Sequence, residues 1–176
     1  MIVRKALALL ASAAALTIGL AGTAEAAPKT LYYDNSGAAE FKAAVDEGAQ
    51  AWNESVKNVK LAPWAAGKPR NIVIVADNGW PRAQPTSLGN GRVWMGREAV
   101  QEGHFPPRIA AHELGHILGL PDVKPGPCSS LMSGASGGTT CKNKYPNAAE
   151  KARVERNFGG SLAAEQSWNR YFIEVG

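Results

Sequence analysis

The chain has 176 residues, with 19 Lys+Arg against 15 Asp+Glu; 45% of it is hydrophobic and 19% charged. That length suits a single domain, and the composition excludes intrinsic disorder. The net charge of +4 is mild, and no Lys/Arg cluster is interleaved with aromatics, which excludes a nucleic-acid-binding surface as the main business of the molecule.

Residues 1–26 read as a secretory signal peptide. Arg4 and Lys5 precede an apolar run over 6–20, and Ala24-Glu25-Ala26 places small residues where signal peptidase reads them. The run is short for a bilayer span, which needs about 20 residues. Residues 27–176 then form one exported domain with no later membrane segment. Cys128 and Cys141 both lie in it, and an isolated pair in an exported chain is expected to form a disulfide.

A short strand is expected at 30–33. Ser36 is the expected N-cap of a long helix over about 38–57, because Phe41, Val45, Gly48/Ala49, Trp52 and Val56 recur at three- and four-residue spacing. Asn53-Glu54-Ser55 is a formal glycosylation sequon but falls inside that helix. Ile72, Val73, Ile74 and Val75 make 71–76 a buried strand. Pro81, Pro85 and Gly89-Asn90-Gly91 make the next stretch loop and turn, and 92–95 a short strand. Pro106-Pro107 opens a second helix over about 108–118, and Gly119 closes it. Four prolines and four glycines make 121–146 a loop; a loop that long is usually functional or stapled, and this one holds both cysteines. Asn147 and Glu150 signal the capped start of a third helix ending at Gly159-Gly160. The tail 161–176 has no assignment. The order gives an α+β fold.

The chemistry is concentrated in His112-Glu113-Leu114-Gly115-His116. At 3.6 residues per turn, His112 and His116 project from one helix face, where two imidazoles can grip one zinc ion. Glu113 lies beside that metal, placed to take a proton from a zinc-bound water. Gly119 can adopt positive φ and turn the chain sharply, so that Asp122 presents a carboxylate from below as a third ligand.

The run from His112 to Asp122 resembles the metzincin zinc-binding sequence H-E-x-x-H-x-x-G-x-x-H/D, and its closing aspartate resembles the snapalysins, small neutral metalloproteases secreted by bacteria. Leu131-Met132-Ser133-Gly134 resembles the Met-turn, and Cys128 and Cys141 bracket it as the single snapalysin disulfide does. The resemblance implies a small twisted mixed sheet with a long helix and an active-site helix, above an irregular lower half with the Met-turn and a C-terminal helix. It implies zinc ligands His112, His116 and Asp122, catalytic base Glu113, and Met132 as an apolar floor. It also implies a secreted, monomeric endopeptidase acting on protein or peptide substrates, with a preference for an aromatic residue after the cut bond. Strand 92–95, ahead of the active-site helix, is the expected edge strand for substrate pairing.

Two departures bear on function. Phe105 and Pro107 stand where related snapalysins carry the aspartate and threonine that ligate calcium, so calcium loses those side chains here. Lys124 stands where some relatives carry a tyrosine suited to an oxyanion, and it reads as a solvated loop charge. His104 reads as a surface loop residue, and Trp94 is the one tryptophan expected near the cleft. The competing readings are an exported binding domain with structural zinc and a zinc amidase acting on cell-wall peptides. Structural zinc usually has four protein ligands, whereas three with Glu113 intact favour an enzyme.

Overall fold

The computed structural model describes residues 27–160; residues 1–26, expected to be a signal peptide, and the tail 161–176 lie outside the described residues. The elements are strand β1 (Lys29–Gly37), a 3-10 turn (Ala39–Phe41), helix α1 (Lys42–Ser55), strands β2 (Val59–Pro63), β3 (Ile72–Asp77), β4 (Arg82–Ser87) and β5 (Asn90–Gly96), helices α2 (Arg97–Gln101) and α3 (Pro106–Ile117), a second 3-10 turn (Leu131–Gly137), and helix α4 (Ala148–Phe158). The five strands form one mixed sheet in the order β2-β1-β3-β5-β4. All neighbours are parallel except the β4–β5 hairpin. No helix among the described residues is long and apolar enough to cross a membrane.

One core joins the sheet to α1 and α3. Leu31, Ile72, Ile74, Val93 and Met95 face it from the strands, and Val45, Trp52, Leu114 and Ile117 from the helices. Trp52 is fully buried, and its indole N–H donates to Ala111 O at 2.8 Å. The two helices cross closely at Gly48, where a Cβ would stand 2.7 Å from Ala111 N and 2.9 Å from Ala110 Cβ. The spacing that marked α1 as amphipathic thus sets the seat of α3.

The structure corrects several sequence expectations. β1 runs on through Gly37, because it pairs with both β2 and β3, and Ser36 donates its N–H to Asp34 Oδ1 instead of capping a helix. A 3-10 turn follows before α1 begins at Lys42. β2, unforeseen, is short, with Val59 and Leu61 turned into the core. The stretch expected as loop contains β4, a hairpin partner of β5, and Pro85 is tolerated because β4 is the sheet edge. Residues 92–95 belong to β5, which lies between β3 and β4; the edge strand is β4.

Below the sheet, α3 rests on the irregular lower half. Cys128 and Cys141 form a disulfide with Cα atoms 5.6 Å apart. Arg108, one turn before His112, is buried and donates to the carbonyls of Cys128 (3.4 Å), Ser130 (2.8 Å) and Asn143 (2.6 Å) and to Ser133 Oγ (2.9 Å). The expected capping box at Asn147 and Glu150 is present at the start of α4.

Candidate metal centre and cleft

Helix α3 places His112 and His116 on one face, and Gly119 ends the helix at φ +88°. The amide of Leu120 returns to Gly115 O at 3.0 Å, closing the turn that aims the chain back under the helix. Each imidazole is oriented by a backbone carbonyl: His112 Nδ1 meets Leu131 O at 3.0 Å, and His116 Nδ1 meets Leu120 O at 2.9 Å. A carbonyl oxygen only accepts, so each Nδ1 carries the ring proton and each Nε2 turns a lone pair inward.

Those two Nε2 atoms are 3.1 Å apart, and Asp122 Oδ1 lies 3.2 Å from one and 3.6 Å from the other. Tetrahedral bonds of about 2.0–2.1 Å to one zinc ion would separate neighbouring donors by roughly 3.3–3.4 Å. The triangle therefore has the size of one face of a zinc tetrahedron. Three lone pairs this close repel one another unless a cation stands among them, so the donor set fits zinc in number, type and spacing. Glu113 also brings a carboxylate oxygen within 4.8 Å of both imidazoles. Asp122 makes the closer approach to both rings and fits the third position better, leaving Glu113 beside the centre.

The electrostatics separate the two carboxylates. Burial pushes the Glu113 carboxyl up to about 7, assisted by the charge of Asp122 and opposed by that of His112. For Asp122 burial also pushes upward, but hydrogen bonds from Lys124 and, once His112 is protonated, from its Nε2 outweigh it and hold the carboxyl well below the usual range. Burial, with the charge of His112, pulls the His116 imidazole down to about 4. Burial pulls His112 the same way, and the hydrogen bond its protonated Nε2 would donate to Asp122, with the charge of Glu113, more than reverses it.

The floor is built by the second 3-10 turn. Met132 is buried beneath α3, and a Cβ at Gly115 would lie 2.7 Å from its Sδ, so the motif glycine is what lets the sulfur approach. Gly134 has φ +54°; a Cβ there would stand 2.8 Å from Lys124 Cε and 3.3 Å from His112 Cε1. Lys124 uses that gap and donates to Asp122 Oδ2 at 2.9 Å, so it is a partner of the acidic donor and not only a solvated charge.

The cluster opens into a cleft of about 730 Å³ between α3 and β4. Glu113, Ala83, Pro85, Phe105 and Ile109 line it. Trp80, not Trp94, stands at the cleft, with the His104 ring edge-on to it at 5.9 Å. Trp94 instead carries the Arg82 guanidinium 4.5 Å from its ring. His104 thus belongs to the cleft wall, which its loop position in sequence did not reveal.

Residues 28–160 match the Streptomyces extracellular neutral proteinase (M7) family. The chain belongs to this family. Among the relatives it resembles are proteins named extracellular small neutral protease. The one from Streptomyces lividans is 38% identical over 136 residues, covering 77% of this chain and 60% of the relative. That from Streptomyces sp. strain C5 is 39% identical over 137 residues, covering 77% and 58%. That from Streptomyces caespitosus is 40% identical over 126 residues, covering 71% and 93%. The chain thus spans about 60% of the length of the first two relatives. High choriolytic enzyme 1, a hatching enzyme zinc-protease from Oryzias latipes, overlays 53% of this chain and 44% of its own at 18% identity and a TM-score of 0.40. The α+β architecture expected from the family resemblance is the one described, with the edge strand reassigned.

Two buried groups that hold the family site together escaped the sequence reading. Arg108 stood in the sequence only as the first residue of the expected motif helix. Glu150 was recognised as a capping residue, but its carboxylate also accepts from Ser130 Oγ (2.7 Å), Leu131 N (3.2 Å) and Met132 N (2.9 Å). Leu131 O is the acceptor for His112, so the acid of α4 positions the imidazole through one peptide unit. The signal available in sequence was the Asn147–Glu150 spacing alone, which says nothing about a second set of partners.

Proposed function

We propose that the chain is an exported zinc endopeptidase that cleaves protein or peptide substrates, with His112, His116 and Asp122 holding the metal and Glu113 as the base. The observation that carries this reading is the convergence of two oriented imidazoles and one carboxylate beside a buried carboxyl group in an open cleft. Zinc, when bound, supplies a Lewis acid that polarises the peptide carbonyl and acidifies water. The chain's own residues do the rest. Leu131 O and Leu120 O fix the imidazole tautomers, and Lys124 holds the far oxygen of Asp122. Glu113, buried beside the metal position at the cleft, accepts a proton from the attacking water as the carbonyl carbon gains its new bond. It returns that proton to the amine nitrogen as the C–N bond breaks.

The exposed edge of β4 offers an extended substrate a backbone to pair with. The apolar wall formed by Trp80, Phe105 and Ile109 suits a large side chain, and we take an aromatic residue after the cut bond as the preferred one. The extracellular names of the relatives support export, with residues 1–26 as the signal and 27–176 as the working domain.

The test combines metal analysis with peptide cleavage. One zinc per chain is expected, with activity lost on chelation and restored by added zinc. Glu113→Gln should retain the zinc and the fold and cleave at least about 10²-fold more slowly. Full activity in a metal-free preparation would refute the proposal, and an unimpaired Glu113→Gln would remove Glu113 as the base.

A further inference from the structure

The edge strand presents its backbone to the cleft unevenly. Gly91 donates its N–H to Asn71 O at 3.0 Å, on the β3 side of β5. Along a strand, the N–H and C=O of one residue point to the same side, and successive residues alternate. Gly91 and Val93 therefore turn toward β3, and Arg92 and Trp94 toward β4. The register pairs Arg82 with Trp94 and Gln84 with Arg92, so these two residues of β4 spend their backbone groups on β5. Ala83 and Pro85, opposite Val93 and Gly91, turn theirs outward, and both line the cleft. Proline has no N–H to offer. Pro81, the residue before β4, has none either. Between positions 81 and 85, Ala83 is thus the sole residue that faces the cleft with both a donor and an acceptor.

We infer that Pro85 is a specificity-determining residue: it removes one backbone donor from the substrate-pairing edge, so that an extended peptide is registered by a single complete rung at Ala83. The inference rests on the peptidase reading and adds to it a limit on how the substrate is held. A peptide residue opposite Ala83 exchanges two hydrogen bonds with the strand. The residue opposite Pro85 donates to its C=O, but its own carbonyl meets no donor there. Peptides extending past Pro85 consequently gain little grip from the extension.

Pro85→Ala restores the missing N–H. Two peptides serve as probes, one ending at the residue opposite Ala83 and one extending two residues beyond Pro85. Affinity is read as Kd from tryptophan fluorescence in the Glu113→Gln background, and as KM in the otherwise unaltered chain. The long peptide should bind Pro85→Ala about 2- to 10-fold more tightly, the worth of one added hydrogen bond, with no such gain for the short one. Loss of the proline ring's apolar contact would by itself weaken binding, so the direction of the change separates the two effects. A second measurement needs no variant at position 85: a long peptide whose carbonyl opposite Pro85 is replaced by a thiocarbonyl, a weaker acceptor that keeps the amide planar and uncharged, should bind the parent chain as well as the intact peptide does. Equal effects of Pro85→Ala on both peptides, no tightening of the long one, or a several-fold loss with the thioamide peptide would overturn the inference. Peptides that bind with this length dependence but are never cleaved by the zinc-loaded chain would count against the peptidase reading and leave the role of Pro85 standing.

Discussion

Glu150→Gln tests how the lower half of the molecule supports the candidate metal centre. The Glu150 carboxylate accepts four hydrogen bonds while buried: Ser130 Oγ and Met132 N on one oxygen, Leu131 N and Asn147 N on the other. Glutamine has one acceptor oxygen and an NH₂ group. In its better orientation the oxygen keeps Leu131 N and Asn147 N, and the NH₂ donates to the Ser130 hydroxyl. Met132 N–H then faces another donor in a buried site. Leaving that amide unmatched costs about 1–3 kcal/mol, and the retained bonds lose their charge assistance. The expected destabilisation is about 2–4 kcal/mol, read from urea unfolding of parent and variant. Because Leu131 O orients His112, zinc affinity measured against a competing chelator should fall by roughly 10-fold or more. A variant within about 0.5 kcal/mol of the parent, with unchanged zinc affinity, would show that the four bonds neither hold the turn nor orient the imidazole.

Three further outcomes are expected. Asp122→Ala should weaken zinc binding by more than the roughly 10–100-fold typical of losing an outer partner, measured by chelator competition, and unchanged affinity would direct attention to Glu113 as the third ligand. Gly48→Ala should lower stability by about 2 kcal/mol in urea unfolding, since the new Cβ meets Ala111 backbone at 2.7 Å and the overpacking, about 3 kcal/mol, exceeds the helix-propensity gain of about 1 kcal/mol. Removing calcium while zinc is kept should leave the melting temperature in place, because Phe105 and Pro107 supply no carboxylate and the Lys142 ammonium lies 5.3 Å from the Phe105 ring; a large drop would show that other oxygens bind the ion.

The local chemistry was legible in the chain itself. The four-residue spacing of His112 and His116, the helix-ending Gly119, the placement of Asp122 and Met132, the cysteine pair and the Asn147–Glu150 box are all short-range patterns, and the constraints that produce them act within a turn or two of backbone. The family follows from the same residues. Tertiary structure decided what depends on distant partners. β4 read as loop because Pro81, Pro85 and the glycines are turn formers; it became a strand because β5 supplies a hairpin partner and an edge tolerates a proline whose missing N–H points away from the sheet. Ser36 could not cap a helix once β1 had two neighbours to pair with. Trp80 and His104 reached the cleft, and Trp94 did not, through the path of the chain between β3 and α3. Arg108 and Glu150 are charged residues on helices, which sequence alone assigns to solvent. They are buried because the irregular turn below α3 exposes carbonyls and amides that no regular element satisfies, and each supplies the opposite half of those hydrogen bonds.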